Sequence, residues 1–330
     1  MNQNDTRPLL AGIEAGGTKF NCVLGYSPEE IIVRQKIPTT TPEETFAKVF
    51  DFFADQEKQL APIAAFGIAS FGPIDLHLHS DTYGFITATP KPHWSHTNVV
   101  KAFKDFRNIP VAFDTDVNGA ALGEQHYGAA KDIANFVYVT VGTGIGAGVF
   151  SDGKLVNGAL HPEIGHMLVP SPEHINVQHS ADTVGLINPN HIPQLAHAEK
   201  PYTIEQSLCP FHQNCLTAFA AGPALELLWH KPAQQLAEDH PAWDYQAYYL
   251  ALMCMNLSLF YAPELIILGG GVMDQQQLFA KTRKTYDTLM GNYMLPNKSL
   301  DQFIIPPGKP GQSGEIGALV LAQQALHTNT

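Results

Sequence analysis

The chain has 330 residues, 45% of them hydrophobic and 15% charged, which allows two lobes with separate cores and is unlike a disordered segment. Its formal net charge of -12, with no dense Lys/Arg run, argues against a nucleic-acid or anionic-membrane partner, though an acidic chain can still hold phosphate locally. Four cysteines in this length make no disulfide framework, and the polar start at residues 1–7 lacks a signal peptide's apolar core, so the cytoplasm is the expected compartment.

Residues 9–13 form a short apolar run that enters the turn Glu14-Ala15-Gly16-Gly17-Thr18-Lys19, and residues 20–25 resume an apolar strand, so the glycines join two strands as a hairpin. Residues 42–60 space Phe46, Val49, Phe50 and Phe53 as a helix does. A strand at 63–69 ends in Ser70-Phe71-Gly72-Pro73, and a Pro-rich loop at 89–96 precedes a helix near 99–106. The strand 111–114 feeds Thr115-Asp116-Val117-Asn118, which opens a helix.

A strong strand at 136–141 runs into Gly142-Thr143-Gly144 and a second apolar segment, so the glycine hairpin recurs and the second half echoes the first. Residues 171–208 carry Pro, His and Asn with little periodicity and read as a long surface insertion. The apolar stretch 248–268 is broken by Asn256, Ser258, Pro263 and Glu264, so it reads as a buried helix and a strand instead of a membrane span. That strand ends at Gly269-Gly270-Gly271, and the small-residue tail is expected to fold back as a helix.

Glycine turns with a Thr hydroxyl let backbone N–H groups approach an anion. Gly16-Gly17-Thr18 and Gly142-Thr143-Gly144 have that composition, with Gly269, Gly270 and Gly271 as a third cluster. Neither of the first two is a P-loop, because Gly-x4-Gly-Lys-Ser/Thr is absent, and neither is a dinucleotide turn, because strands flank the Gly-x-Gly letters of the second on both sides. Three such turns at strand ends suit a nucleotide in an interlobe cleft. Asp116, between a strand and a helix, is the candidate carboxylate to take a hydroxyl proton, with a helix cap as the bland alternative. Cys209, His212 and Cys215 place three ligand-type side chains at a spacing of three, one short of a tetrahedral Zn²⁺ set.

In order along the chain stand 12-GIEAGGTK-19, 114-DTDVNGAA-121, 141-VGTGIG-146 and 161-HPEIGH-166. This ordered set resembles the ROK family (repressors, open reading frames and sugar kinases), and most closely its bacterial fructokinases. The resemblance implies an α/β, actin-like (ribonuclease H-like) ATPase fold of two lobes, with ATP and a hexose meeting in the cleft. Residues 1–118 would form the N-terminal lobe, with helix 312–330 packing back on it, and 119–311 the C-terminal lobe with the insertion and the metal loop. The implied activity is ATP-dependent phosphorylation of a hexose, fructose to fructose 6-phosphate first, with mannose, glucose or a weakened sugar-binding sensor as alternatives. A repressor is opposed by the short polar stretch before Leu9 and the acidic balance.

By the same resemblance Asp116 is the catalytic base, and Glu14 holds a water of Mg²⁺. Lys19 lends positive potential to the phosphates or is simply solvated. Glu163, His166 and Asn118 are expected to bind sugar hydroxyls. His166 also completes the zinc set with Cys209, His212 and Cys215, while His174, His179, His191 and His197 compete for that place. Two departures stand out: the long separation from His166 to Cys209, and Thr217 where the family commonly has Glu. Trp94 is a stacking surface for the sugar or a structural residue. A homodimer is expected on resemblance alone.

Overall fold

The computed structural model describes residues 7–172 and 207–328. Most of the expected insertion, with His174, His179, His191 and His197, lies outside the described residues.

The chain opens with β1 (Leu9–Ala15), β2 (Lys19–Ser27) and β3 (Glu30–Pro38), then α1 (Pro42–Gln59), β4 (Ile63–Ser70), a short ribbon of β5 (Phe85–Ile86) and β6 (Thr97–Asn98), α2 (Val99–Phe106), β7 (Val111–Thr115) and α3 (Asp116–Tyr127). There follow β8 (Phe136–Val141), β9 (Ile145–Ser151), β10 (Lys154–Leu155), α4 (Leu216–Ala220), α5 (Gly222–Trp229), α6 (Ala242–Tyr261), β11 (Leu265–Gly269), α7 (Gln277–Met290), α8 (Leu300–Phe303), β12 (Ile304–Ile305) and α9 (Ser313–Thr328). Two compact units result. The first holds residues 1–132, 157–161 and 308–330, and the second 133–156 and 162–307.

Each unit is built on a five-stranded sheet of the same pattern. In the first the order is β3-β2-β1-β4-β7, with an antiparallel hairpin series passing into parallel strands. The order β10-β9-β8-β11-β12 repeats this in the second. The echo read between the two halves is therefore an echo of sheet topology.

β1 lies mid-sheet with both faces covered, which is why it reads as a continuous apolar run. Leu9, Ala11, Ile13 and Ala15 join Phe20, Phe46, Phe53, Phe66 and Phe103 in the core on one face. Leu10 packs with Val23, Leu319 and Ala322 of α9 on the other. α1 starts where Thr41 accepts a hydrogen bond from the Glu44 amide and Pro42 presets the first turn. Trp94 is fully buried against Phe20, Phe46 and Phe71, and its indole N–H donates to the Thr40 carbonyl at 2.7 Å, so it is a core residue and not a sugar platform.

α9 belongs to the first unit and presses on β4 and α3. The approach is too close for side chains: a Cβ on Gly67 would strike the Ala318 carbonyl, and one on Gly317 the Gly119 carbonyl. At the other end of α3, the buried Glu124 gathers the backbone amides of Ala129, Gly308 and Lys309 and the Ser313 hydroxyl. In the second unit α6 runs through a core of Trp243, Tyr245, Tyr249 and Leu250 under the sheet. Among the described residues no helix is long and apolar enough to cross a membrane.

Candidate active site

In the first unit, the turn between β1 and β2 closes with the Gly16 amide donating to the Lys19 carbonyl at 3.0 Å. Thr39 fixes the turn from behind, its hydroxyl donating to the Gly16 carbonyl at 2.7 Å. A Cβ on Gly17 would meet nothing within 4 Å, and Gly17 is not among the positive-φ residues. Neither packing nor backbone conformation accounts for glycine there, and its backbone is open on the side a Cβ would occupy. Thr18 and Lys19 beside it are exposed.

Glu14 sits opposite Asn21 in the β1–β2 register, and the Asn21 side-chain amide donates to it at 2.7 Å. Burial raises the pKa of its carboxyl, and Asn21 only partly offsets this, while Glu315 adds to the rise. Asn21 escaped notice in the sequence, although the hairpin pairing of residues 15 and 20 places 21 directly across from 14.

The N-cap of α3 is Thr115, whose side chain accepts from the Asn118 amide at 3.1 Å. Capping therefore does not account for Asp116, which is the first residue of the helix, half-buried, with the Val117 amide 2.9 Å from its Oδ1. Asn118 is 1% exposed and its side-chain amide donates to Asp114 at 2.6 Å. One of its two amide hydrogens is thus taken by Asp114. Burial pushes Asp114 up to about 6, with the Asn118 and Thr115 donors holding it lower than burial alone would.

In the second unit, the Gly142 amide donates to the Gly144 carbonyl at 2.9 Å, and the Gly142 carbonyl accepts from Gly222 at 2.8 Å. A Cβ on Gly142 or Gly144 would meet nothing within 4 Å, so this turn repeats the open geometry of Gly17, and Thr143 is exposed. The third cluster differs. Gly269 would bring a Cβ to 2.6 Å from the Tyr138 hydroxyl, and Gly270 has φ of 90° and no room beside Val141. Close packing and a left-handed backbone explain those two glycines, leaving Gly271 alone with open space.

Glu163 precedes a 3-10 helix, Ile164–His166. It reaches the surface, yet enough protein crowds it to push its carboxyl up to about 6. Gly165 lets this turn press on the Ile145 carbonyl, and the buried Thr217 hydroxyl beside it finds no partner among the described residues.

His166 ends the turn in a cluster with Cys209, His212 and Cys215, whose ligand atoms all lie within 4.8 Å of one another. His166 Nδ1 is 3.2 Å from His212 Nδ1 and 3.5 Å from Cys209 Sγ, and His212 Nδ1 is 3.6 Å from Cys209 Sγ. Tetrahedral zinc, with bonds near 2.0–2.1 Å to nitrogen and about 2.3 Å to sulfur, has ligand edges of roughly 3.3 Å between nitrogens and roughly 3.5 Å between nitrogen and sulfur. The donor set and its spacing fit that ion. Burial, and then His212, lower the His166 pKa and favour the neutral imidazole a metal needs, whereas burial pushes Cys215 up to about 11, so thiolate there calls for a cation. Because Nδ1 faces the cluster, Nε2 of His166 is left for a different partner, and the two roles read for this residue are compatible.

The ROK family model matches residues 10–325. The fructokinase of Pediococcus pentosaceus is 40% identical over 319 residues, spanning 96% of this chain and 99% of that protein. The fructokinase of Zymomonas mobilis is 39% identical, spanning 98% and 99%. Among solved structures, the ROK family glucokinase of Streptomyces griseus, in complex with glucose and AMPPNP, superimposes with a TM-score of 0.71 at 21% identity, covering 96% of this chain and 99% of that one. This last likeness, with its neighbours, gives the fold: the actin-like ATPase of ROK sugar kinases.

Proposed function

The chain belongs to the ROK family, and from that premise we propose that it is an ATP-dependent sugar kinase that converts fructose to fructose 6-phosphate. Near-complete alignment with several fructokinases at about 40% identity supports the activity and the sugar. One local observation carries the mechanism. Thr115 is the N-cap of α3, and the half-buried Asp116 carboxylate stands at the first residue of that rigid helix, where the strand β7 ends.

Phosphoryl transfer asks for positioning, charge neutralisation and a base. Asp116 is assigned to accept the proton of the sugar 6-hydroxyl as that oxygen bonds to the γ-phosphorus and the bond to the ADP oxygen breaks. Backbone amides and Thr hydroxyls of the turns at Gly16, Gly17 and Thr18 and at Gly142, Thr143 and Gly144 are assigned to the phosphate oxygens, with the exposed Lys19 adding positive potential. Gly271 joins them, whereas Gly269 and Gly270 shape the backbone. Asn118 is assigned to hold Asp114, which lies two residues before the base at the end of β7.

Glu163 and the outward nitrogen of His166 are assigned to sugar hydroxyls, since a site built to pair hydroxyls rejects ligands that lack them. Magnesium, bound with the nucleotide, would offset phosphate charge; Glu14, beside the buried Asn21 Oδ1 that has no partner among the described residues, offers hard oxygen acceptors for a water of its shell. Zinc held by His166, Cys209, His212 and Cys215 would be structural, because four protein ligands close its shell. We assign a homodimer as the assembly, for which the exposed Leu259, Phe260 and Tyr261 at the end of α6 offer apolar surface. Coupled ADP-release assays across fructose, mannose, glucose and N-acetylated sugars test the activity. Release that depends on fructose above the others is expected, and sugar binding without release would overturn it.

A further inference from the structure

Glu163 is fastened in the chain on both sides. After it, Gly165 presses on the Ile145 carbonyl and His166 enters the Cys/His cluster. Before it, the segment of residues 157–161 leaves the second unit's strands and belongs to the first unit. Two imidazoles fix that segment to the loop after β4. The Ile74 amide donates to Nε2 of His161 at 3.2 Å, and Nε2 of His77 lies 2.6 Å from the Ala159 carbonyl oxygen.

These contacts assign the protons. An N–H aimed at Nε2 requires a lone pair there, so His161 is neutral and carries its proton on Nδ1, while His77 donates from Nε2 to a carbonyl. The receiving loop is preorganised. Asp75 accepts from the Ser80 hydroxyl at 2.6 Å, the Thr82 hydroxyl at 2.6 Å and the His77 amide at 2.9 Å, and Ile74 bridges to Ile86 of β5. His161 thus docks on a surface whose shape does not depend on it.

We propose that His161 is a positioning residue for the sugar: its Nε2 anchors the backbone two residues before Glu163 and so holds that carboxylate where the hydroxyls need it. This rests on the assignment of Glu163 to the sugar. The only chain between anchor and acceptor is Pro162, whose ring fixes φ, so displacement at His161 passes to Glu163 with little slack. Productive binding tolerates roughly 0.5 Å of misplacement, which a lost tether readily exceeds.

The experiment compares the full chain with His161→Ala, His161→Asn and His161→Gln. Glutamine can bring an acceptor oxygen close to where Nε2 stands, whereas asparagine is too short. KM for fructose is expected to rise roughly fivefold to tenfold in the Ala and Asn variants, the size of one net hydrogen bond. KM for ATP and turnover at saturating fructose should hold, and the Gln variant should return towards wild type. An unchanged KM for fructose overturns the proposal, as does a parallel rise in both KM values, which marks general loosening. If the Ala variant fails to fold, the Asn–Gln pair decides. Hydrogen exchange across residues 163–166 is read alongside, without reference to activity. It should quicken in the Asn variant, and unchanged exchange refutes the tether, whereas wild-type protein that releases no ADP with fructose refutes only the assigned activity.

Discussion

Glu124→Gln should be among the most damaging single-atom changes in the first unit. Oε2 of Glu124 accepts from the Ala129 amide at 2.7 Å and the Gly308 amide at 2.8 Å, and Oε1 accepts from the Ser313 hydroxyl at 2.6 Å and the Lys309 amide at 3.1 Å. Glutamine keeps one acceptor oxygen and turns an NH2 group towards the other two donors. Two hydrogen bonds to a charged group go, at about 1.5–3 kcal/mol each, so the expected loss is roughly 3–6 kcal/mol before relaxation. That is a large share of the ~5–15 kcal/mol that separates folded from unfolded protein. Because the chain forms two units, a single unfolding free energy is ill-defined. The better assay is native-state hydrogen exchange with mass spectrometry. Exchange should quicken in α3 and at the start of α9 while β8, β9 and β11 keep their protection. A change below about 0.5 kcal/mol in α3, the size of an ordinary surface substitution, would refute the brace.

Purified protein should carry zinc, and His166→Ala or Cys209→Ser should lose most of it together with thermal stability; undiminished zinc in either variant would move the ligand elsewhere. Gly142→Ala should raise KM for ATP several-fold with an unchanged melting temperature, since its Cβ meets only open space. Gly317→Ala should instead lower stability by ~1–3 kcal/mol, because its Cβ overlaps the Gly119 carbonyl; equal effects of the two in a thermal melt would undo the distinction. Burial pushes Asp114 up to about 6 from an ordinary 3.8, so the native state holds this proton more tightly than the unfolded chain. Its stabilising contribution is therefore present below about 3.8 and lost as pH rises through about 6, and Asp114→Asn should flatten that part of the stability profile. An unchanged slope in urea titrations across that range would contradict this.

What the sequence disclosed was local. The spacing of Phe46, Val49 and Phe53 marked α1, the two glycine hairpins marked the ends of β1 and β8, and Cys209, His212 and Cys215 marked a loop whose side chains gather with His166. Contacts formed at long range were hidden. Trp94 lies in a polar, Pro-rich loop, and only the packing of Phe20, Phe46 and Phe71 around it shows it to be core. Gly67, Gly119 and Gly317 look like ordinary small residues until α9 folds back and brings backbone against backbone. A lobe border drawn at 118 falls inside α3, because one continuous helix gives no compositional break to read. The cap of α3 moved by one residue, from Asp116 to Thr115, a shift that propensity cannot resolve but that removes the competing explanation for Asp116. The tie of Asn118 to Asp114 was hidden for a related reason, since it needs the helix turn to exist first.

The assignment of Asp116 is most directly tested by steady-state turnover of Asp116→Asn with fructose and ATP, reading ADP and fructose 6-phosphate together. With the fold and nucleotide binding intact, turnover should fall by ~10²–10⁴-fold, the span of a lost general base. Turnover close to wild type would remove this carboxylate from the chemistry and the proposed mechanism with it.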